Sequence, residues 1–456
     1  MRFAFVLVLL LTACDADELA PPPDPPARPT ASIAYPLSTS PDGRFLVDRL
    51  GEAVLLHGDA AWSLIVNVSL DDARVYLEDR REKGVNAIYV NLVETAFSDQ
   101  DPPWMNAQGE VPFDPLPDTY VLDFSAPREA YWEHVDAVLD AAEERDILVF
   151  AVPAYMGWMQ QFDGWSYALD ANGPGRMRAY GEFLGRRYAD QPNLVWVAGG
   201  DWRPDGPSYP LVDEVQAWVD GVRAFDTAHL WTAHGGQESG LDAYGYLGLD
   251  INTTYRYPPE EVPDAVRTDL ERAPRVPVVF FEGWYENEHG VTRAQLRYQA
   301  YTSLLSGAMG QFYGNNPIWE FKAGWKEALD DPGGRDQVHV ARLFRSRPFH
   351  QLVPDDAVVT SDQGDRTDGT FVAAARATSG ATSIVYTPSA QPVTIDLDRA
   401  VTGREARLWC VDPTTGAASD LGTVTSEGRV TVTPCARPDA VLVVDDAAQR
   451  FAAPGI

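Results

Sequence analysis

Two hydrophobic rhythms divide the chain. Up to Val353, short unbroken apolar runs alternate with longer stretches whose apolar positions recur every three or four residues. Val195-Trp196-Val197-Ala198 and Val278-Val279-Phe280-Phe281 are such runs, and each describes a strand buried on both faces, as in a parallel sheet wrapped by helices. The same pattern predicts strand one at Ala53–Asp59, two at Val85–Val93, three at Ile147–Pro153, five at Leu230–His234, six at Asp250–Tyr255 and eight at Met309–Gly314. Strand four runs from Asn193 to the edge of Asp201, and strand seven from Pro277 to Glu282. Between them the helical period predicts Leu70–Lys83, capped by Ser69 with Asp71 and Asp72 in its first turn, and stopped by Gly84. Further helices are expected at Pro127–Arg145, Gly175–Tyr188, Leu211–Phe225, Glu260–Leu270 and Arg293–Leu305, the last being the final large one. A hairpin around Ser40-Pro41-Asp42-Gly43 leads into strand one.

Strands alternating with helices in this way predict the α/β class, a (β/α)8 TIM barrel over residues 33–353. From Pro354 onward the period becomes two. Val358–Thr360, Thr370–Arg376, Thr382–Thr387, Val393–Asp396, Glu405–Val411, Arg429–Thr433 and Ala440–Asp445 are separated by Gly, Asp, Pro and Ser turns, with no helical stretch between them. That reads as a C-terminal antiparallel β-sandwich, an accessory domain over 354–449.

A carboxylate directly after a buried run is expelled from the core onto the C-terminal rim, where barrel enzymes build their sites. Asp201 ends strand four and Glu282 ends strand seven, almost opposite across the mouth. Two carboxylates facing across a sugar-sized cleft are the minimum equipment for glycoside hydrolysis, so Asp201 and Glu282 are the candidate catalytic pair. Other rim positions supply candidate substrate contacts: Asp59 and Trp62 after strand one, Asn91 at strand two, Tyr155 after strand three and Trp202 after strand four. His234 and Tyr255 end strands five and six, Trp284, Tyr285 and Glu286 follow strand seven, and Tyr313 and Asn315 close strand eight. Asp59 reads equally as a structural residue, and Glu286 as one that orients its neighbours. No phosphate-binding glycine loop and no metal-ligand set is apparent, so neither cofactor nor metal is expected.

Composition narrows the partners. Of 456 residues 11% are aromatic, including 13 Trp and 19 Tyr, more than packing alone requires and suited to stacking on sugar C–H faces. A formal charge of -31 argues against nucleic acid and against anionic membrane surfaces. The N-terminus reads as a targeting signal: Arg2, the apolar run Phe3 to Leu11, then Leu11-Thr12-Ala13-Cys14. This resembles a bacterial lipoprotein signal over residues 1–14, with Cys14 lipidated and the protein exported and membrane-anchored. Residues 15–32 form a stiff Pro-rich linker. In such an oxidising compartment Cys410 and Cys435, alone within one small domain, are expected to form a disulfide.

Several stretches carry a specific resemblance. Asp42-Gly43-Arg44-Phe45-Leu46-Val47, Gly58-Asp59-Ala60-Ala61-Trp62, Tyr76-Leu77-Glu78-Asp79-Arg80 with Lys83-Gly84-Val85-Asn86, Arg187-Tyr188-Ala189-Asp190-Gln191-Pro192-Asn193 running into Gly199-Gly200-Asp201, and Tyr313-Gly314-Asn315 look like the apiosidase-like catalytic domain of glycoside hydrolase family 140. The C-terminal region is similar to the collagen-binding-type domain that commonly follows it. The resemblance implies a retaining glycosidase with Asp201 as acid/base and Glu282 as nucleophile, and apiose release from pectin side chains as the named activity. Ser63-Leu64-Ile65-Val66-Asn67 and Gly283-Trp284-Tyr285 depart from the family pattern, both near the sugar pocket. The alternative is a non-catalytic carbohydrate- or protein-binding surface lipoprotein. A peptidase or esterase is disfavoured by the lack of a Gly-x-Ser-x-Gly elbow and of a His-Glu-x-x-His helix.

Overall fold

The computed structural model describes residues 32–161 and 163–456. The signal sequence, the Cys14 lipidation site and all of the Pro-rich linker except Ser32 lie outside the described residues. Among the described residues no helix is long and apolar enough to cross a membrane.

Eight strands form one parallel sheet: Leu56–Ala60, Ala87–Asn91, Leu148–Val152, Leu194–Gly199, Leu230–His234, Asn252–Tyr255, Val278–Glu282 and Gly310–Tyr313. Except for five and six, strands that are neighbours in sequence are neighbours in the sheet, and strand eight pairs with strand one through Gly310↔Leu56 to Tyr313↔Asp59. Strands five and six share no ladder; this seam is closed by other bonds. The Asp250 and Ile251 amides donate to the Trp231 carbonyl, at 2.9 and 3.2 Å. The Thr232 hydroxyl donates to the Ile251 carbonyl at 2.9 Å, and the Thr253 hydroxyl to that of Ala233. The architecture is a (β/α)8 barrel. Its interior is packed with Tyr89, Phe150, Val195, Val197, Val279, Phe281 and Phe312. Gly58 is required there, because a Cβ would lie 2.2 Å from the Phe312 ring.

The departures from expectation have local causes. Strand one starts at Leu56, since Ala53–Val54 belongs to a small antiparallel sheet with Ser38–Thr39 and Leu46–Val47. The helix before strand four runs over Ser166–Tyr188, broken at Gly173 (φ 66°) next to Pro174, so its predicted span is only the part after the break. Arg293–Leu305 is not the last large helix. Pro332–Arg345 follows, and the Gly333-Gly334 pair in its first turn, a poor helix sequence, hid it. That helix starts with Asp331 as N-cap and Pro332 at N1, a position where proline costs nothing.

The C-terminal region is two antiparallel sheets. Six strands run in the order Leu352–Pro354, Ala373–Ala377, Thr382–Thr387, Ala440–Asp446, Glu405–Val411, Ala418–Thr425. Val393–Asp396 pairs with Arg429–Val432 across a shared core of Val385, Ile395, Leu408, Leu442 and Val444. The first strand spans the position at which the barrel was expected to end. Val358–Thr360 is not a strand, since only Val359 makes a bridge, to Ile395. Cys410 and Cys435 are joined in a disulfide. The sandwich is fastened to the barrel by buried bidentate pairs, Arg297 to Asp439 and Arg347 to Asp445, and by Tyr301 stacked on Tyr386 at 5.0 Å.

Candidate active site

Strand four ends in a tight departure from the sheet. Gly199 (φ 87°) and Gly200 (φ 127°) are followed by Asp201, itself left-handed at φ 59°. A Cβ on Gly199 would meet the Tyr244 hydroxyl at 2.4 Å, and one on Gly200 the Tyr155 ring at 2.5 Å. Only glycine fits at both. The turn is tied to strand five: the Gly200 amide donates to the His234 carbonyl at 2.8 Å and the Asp201 amide to His234 Nδ1 at 2.9 Å.

That second bond fixes the imidazole. With Nδ1 accepting, the ring proton of neutral His234 sits on Nε2, which stands 2.6 Å from Glu282 Oε2. The contact is too poorly aligned to satisfy either atom as a hydrogen bond. His234 therefore connects the backbone of one candidate carboxylate to the side chain of the other. Its ring is stacked on Tyr255 at 5.1 Å and flanked by Trp62 at 5.3 Å.

The Tyr155 hydroxyl donates to Asp201 Oδ2 at 3.0 Å, while Asp201 Oδ1 is buried with no protein partner. Desolvation, and after it the charge of Glu282, push the Asp201 carboxyl up to about 7, against the opposing pull of His234 and the Tyr155 and Tyr255 hydroxyls. A carboxyl that keeps its proton near neutrality, with one oxygen free, can donate that proton to a bound molecule. Glu282 is buried at the very end of its strand, held by the Arg256 amide bonding to its own carbonyl at 3.0 Å.

The floor beneath the pair is aromatic. Trp62 Nε1 donates to the Tyr285 hydroxyl at 3.0 Å, Tyr285 shares a hydrogen bond with Tyr89, and Trp62 packs on Tyr89 at 4.3 Å. Trp158 meets Trp202 edge-on at 5.3 Å beside Asp201. Trp284 lies farther out, against His289 at 6.2 Å. Phe97 touches both Tyr155 and Trp319, and Tyr257 packs edge-on against Tyr255. Phe97, Tyr257 and Tyr89 escaped the sequence reading. Phe97 sits in a long loop without periodicity, and Tyr89 is an inward residue in mid-strand. The place of Tyr257, two residues beyond Tyr255, was the one usable signal.

Five expected substrate contacts are committed elsewhere. Asp59 is buried in an ion pair with Arg80 and accepts from the Tyr76 hydroxyl at 2.8 Å, contacts that fit its structural reading. Asn91 donates to buried Glu94 at 2.8 Å. Glu286 accepts from the Gly333 and Gly334 amides, at 2.8 and 3.2 Å, and from the Tyr313 hydroxyl, with Asn315 donating to Tyr313 at 3.0 Å and to Asp331 at 2.9 Å. Glu286, Tyr313 and Asn315 thus anchor the N-terminus of helix Pro332–Arg345, where an anion suits the helix dipole. Among the described residues no group of His, Cys, Asp and Glu could hold a metal ion.

Residues 40–351 match the family described as "Apiosidase-like, catalytic domain". The chain belongs to the apiosidase-like family. Residues 353–445 of this apiosidase-like protein match the "Putative collagen-binding domain of a collagenase". A solved structure named only as a glycoside hydrolase is 25% identical, covering 91% of this chain and 97% of its own, with a TM-score of 0.78. A glycoside hydrolase family 5 structure from Bacteroides vulgatus is also 25% identical, covering 90% of this chain and 94% of its own, at 0.77. A further glycoside hydrolase structure from the same organism, 15% identical, covers 91% and 83% at 0.70 and shares the fold. No curated protein sequence matches the chain. Family and fold together support glycosidase activity for this apiosidase-like protein.

Proposed function

We propose that the protein is an exported, retaining glycoside hydrolase acting on polysaccharide or oligosaccharide, with apiosides of pectin side chains the first substrates to try. The observation that carries the reading is Asp201 beside Glu282 in one mouth, its carboxyl pushed up to about 7 by burial and then by the charge of Glu282. A sugar receptor without chemistry has no use for that pairing. Asp201 protonates the leaving oxygen as Glu282 attacks the anomeric carbon, giving a glycosyl-enzyme ester. Asp201, now ionised, then takes a proton from water as the water oxygen displaces Glu282. His234 Nε2 stands 2.6 Å from Glu282 Oε2, so the imidazole lies against the carboxylate that attacks. Membership of glycoside hydrolase family 140 and a lipid anchor on Cys14 belong to the same proposal.

Incubation with defined glycosides, with the product anomer followed by NMR before mutarotation, tests it. The first-formed product should keep the anomeric configuration of the substrate; an inverted product would refute the retaining step. For export, Cys14→Ser should release the protein from the membrane fraction or leave it unprocessed, and normal anchoring of that variant would refute the lipid attachment.

A further inference from the structure

A second cleft, with a volume of about 290 Å³, lies where the barrel meets the sandwich. Pro259 and Glu260 reach it from the loop after strand six, Gln295 and Tyr298 from the first turns of helix Arg293–Leu305, and Asp368 and Pro388 from turns of the sandwich. The barrel's share follows strands six and seven, so the cleft lies at the end of the barrel that carries Asp201 and Glu282. Tyr257, which packs on Tyr255 in the mouth, is two residues from Pro259, a span of about 7 Å at most.

Its floor is partly spent and partly idle. Asp439 accepts from Arg297 at 2.8 and 2.7 Å and from the Tyr386 hydroxyl at 2.9 Å, which commits it to the junction. Tyr298 is 4% exposed, yet its hydroxyl has no hydrogen-bond partner. Burial, and after it the charges of Asp368 and Glu260, push that phenol up, so the hydroxyl stands near both acids without bonding to either. Gln295 spends its Oε1 on the helix cap at Thr292, which leaves its Nε2 as a donor. A buried hydroxyl without a partner is costly, and a bound molecule that pairs with it removes the cost. Among the described residues no group of acids could hold a metal ion. Acceptors at Glu260 and Asp368, a donor at Gln295 and a hydroxyl able to do either, set between prolines, suit a polyol ring. The volume is at the lower end for small-molecule sites, room for one sugar unit.

We propose that this cleft is a non-catalytic sugar-binding subsite, which holds a distant unit of the same glycan that the mouth cuts. It gives the sandwich a share in substrate binding, and it rests on the glycosidase reading for the cut alone. Tyr298→Phe tests it with the least disturbance, because it removes a hydroxyl that bonds to nothing; its melting midpoint should equal or exceed that of the wild type. Ala294→Trp fills the cleft from the helix. Each change is made in the full chain carrying Glu282→Gln, and its retardation is measured by electrophoresis in gels containing pectin, arabinan, galactan, mannan or xylan. At least one polysaccharide should retard the parent, and each change should weaken that binding by about threefold or more, as for one lost hydrogen bond. With Glu282 restored, each should raise KM for that polysaccharide by a similar factor and leave kcat/KM on a one-sugar aryl glycoside unchanged. Unchanged retardation of either folded variant overturns the proposal, as does a parent that no polysaccharide retards, or an equal loss on polysaccharide and aryl glycoside. Tyr298→Phe decides alone if the bulkier change does not fold. Retardation that both changes weaken, with no glycan hydrolysed, sinks the glycosidase reading and leaves the subsite standing.

Discussion

Strands four and seven each deliver one carboxylate to the same mouth, by opposite means. Glu282 is still part of its strand, registered against Tyr255 and buried, so its direction is set by the sheet. Asp201 has left the sheet through two glycines and sits left-handed, a conformation costing a non-glycine residue about 1–3 kcal/mol. The strand-end position suits a nucleophile, whose approach to one carbon must be fixed. The turn suits an acid and base, because it presents one oxygen to Tyr155 and leaves the other without a protein partner. His234 is the element common to both, bonded to the turn and touching the strand end.

The sharpest way to break this comparison is to remove each carboxylate in turn. Glu282→Ala should lower turnover of every substrate by about 10⁴-fold or more. Azide should restore activity with an inverted glycosyl azide as product, because it attacks from the side of the missing nucleophile. Asp201→Ala should cost about 10²- to 10⁴-fold on poor leaving groups and far less on activated aryl glycosides. Here azide meets an intact glycosyl-enzyme, so its product keeps the starting configuration. The same product stereochemistry from both variants would show that the two ends do not play different roles.

A subtler variant leaves both carboxylates in place. Gly200→Ala puts a methyl 2.5 Å from the Tyr155 ring and 2.9 Å from the Met156 amide, at φ 127°. The turn must shift, at about 1–3 kcal/mol of stability, and Asp201 shifts with it. We expect kcat to fall by about 10- to 100-fold, as for other small misplacements of reacting groups. Since strand seven is untouched, the loss should be greatest for substrates that need acid assistance. Equal losses on activated and unactivated leaving groups would mean that the turn does not position the acid.

Asp201 and Glu282 could be singled out in the sequence because each closes an unbroken buried run, where a charge is driven to the strand's end, and the structure brings both to one mouth. The same logic also picked Asp59, Asn91 and Glu286, whose side chains the structure ties to other parts of the protein. A rim acid can also answer to a neighbouring helix, and the periodicity of its own strand does not report Arg80 across the barrel wall or the Gly333 amide at a helix start. The barrel followed from alternating patterns, but Pro332–Arg345 was hidden by glycines, and Ala418–Thr425 by being an almost wholly exposed edge strand with no buried face to betray it. Nor could the sequence foretell the His234 bridge, which depends on the register of strands four and five.

The smallest effect bears on what the turn costs the fold. The Asp201 carboxyl has an ordinary value of 3.8 and is raised to about 7 in the folded protein. A raised carboxyl favours folding in its protonated form, so this contribution is complete below pH 4 and is lost as pH climbs to about 7. Above that, the folded protein carries a desolvated anion that its unfolded chain would solvate freely. Because Asp201 is partly exposed, the penalty is discounted to about 1–2 kcal/mol. Asp201→Asn keeps the shape and removes the charge. Its melting midpoint should therefore exceed that of the wild type by about 1–2 °C at pH 8 and match it at pH 4, although its activity is lost. The wild-type kcat/KM should fall on its alkaline side near pH 7, where the acid loses its proton. A midpoint shift of the same size at both pH values would place its cause in packing, and the strand-four end would then store no charge strain for catalysis to use.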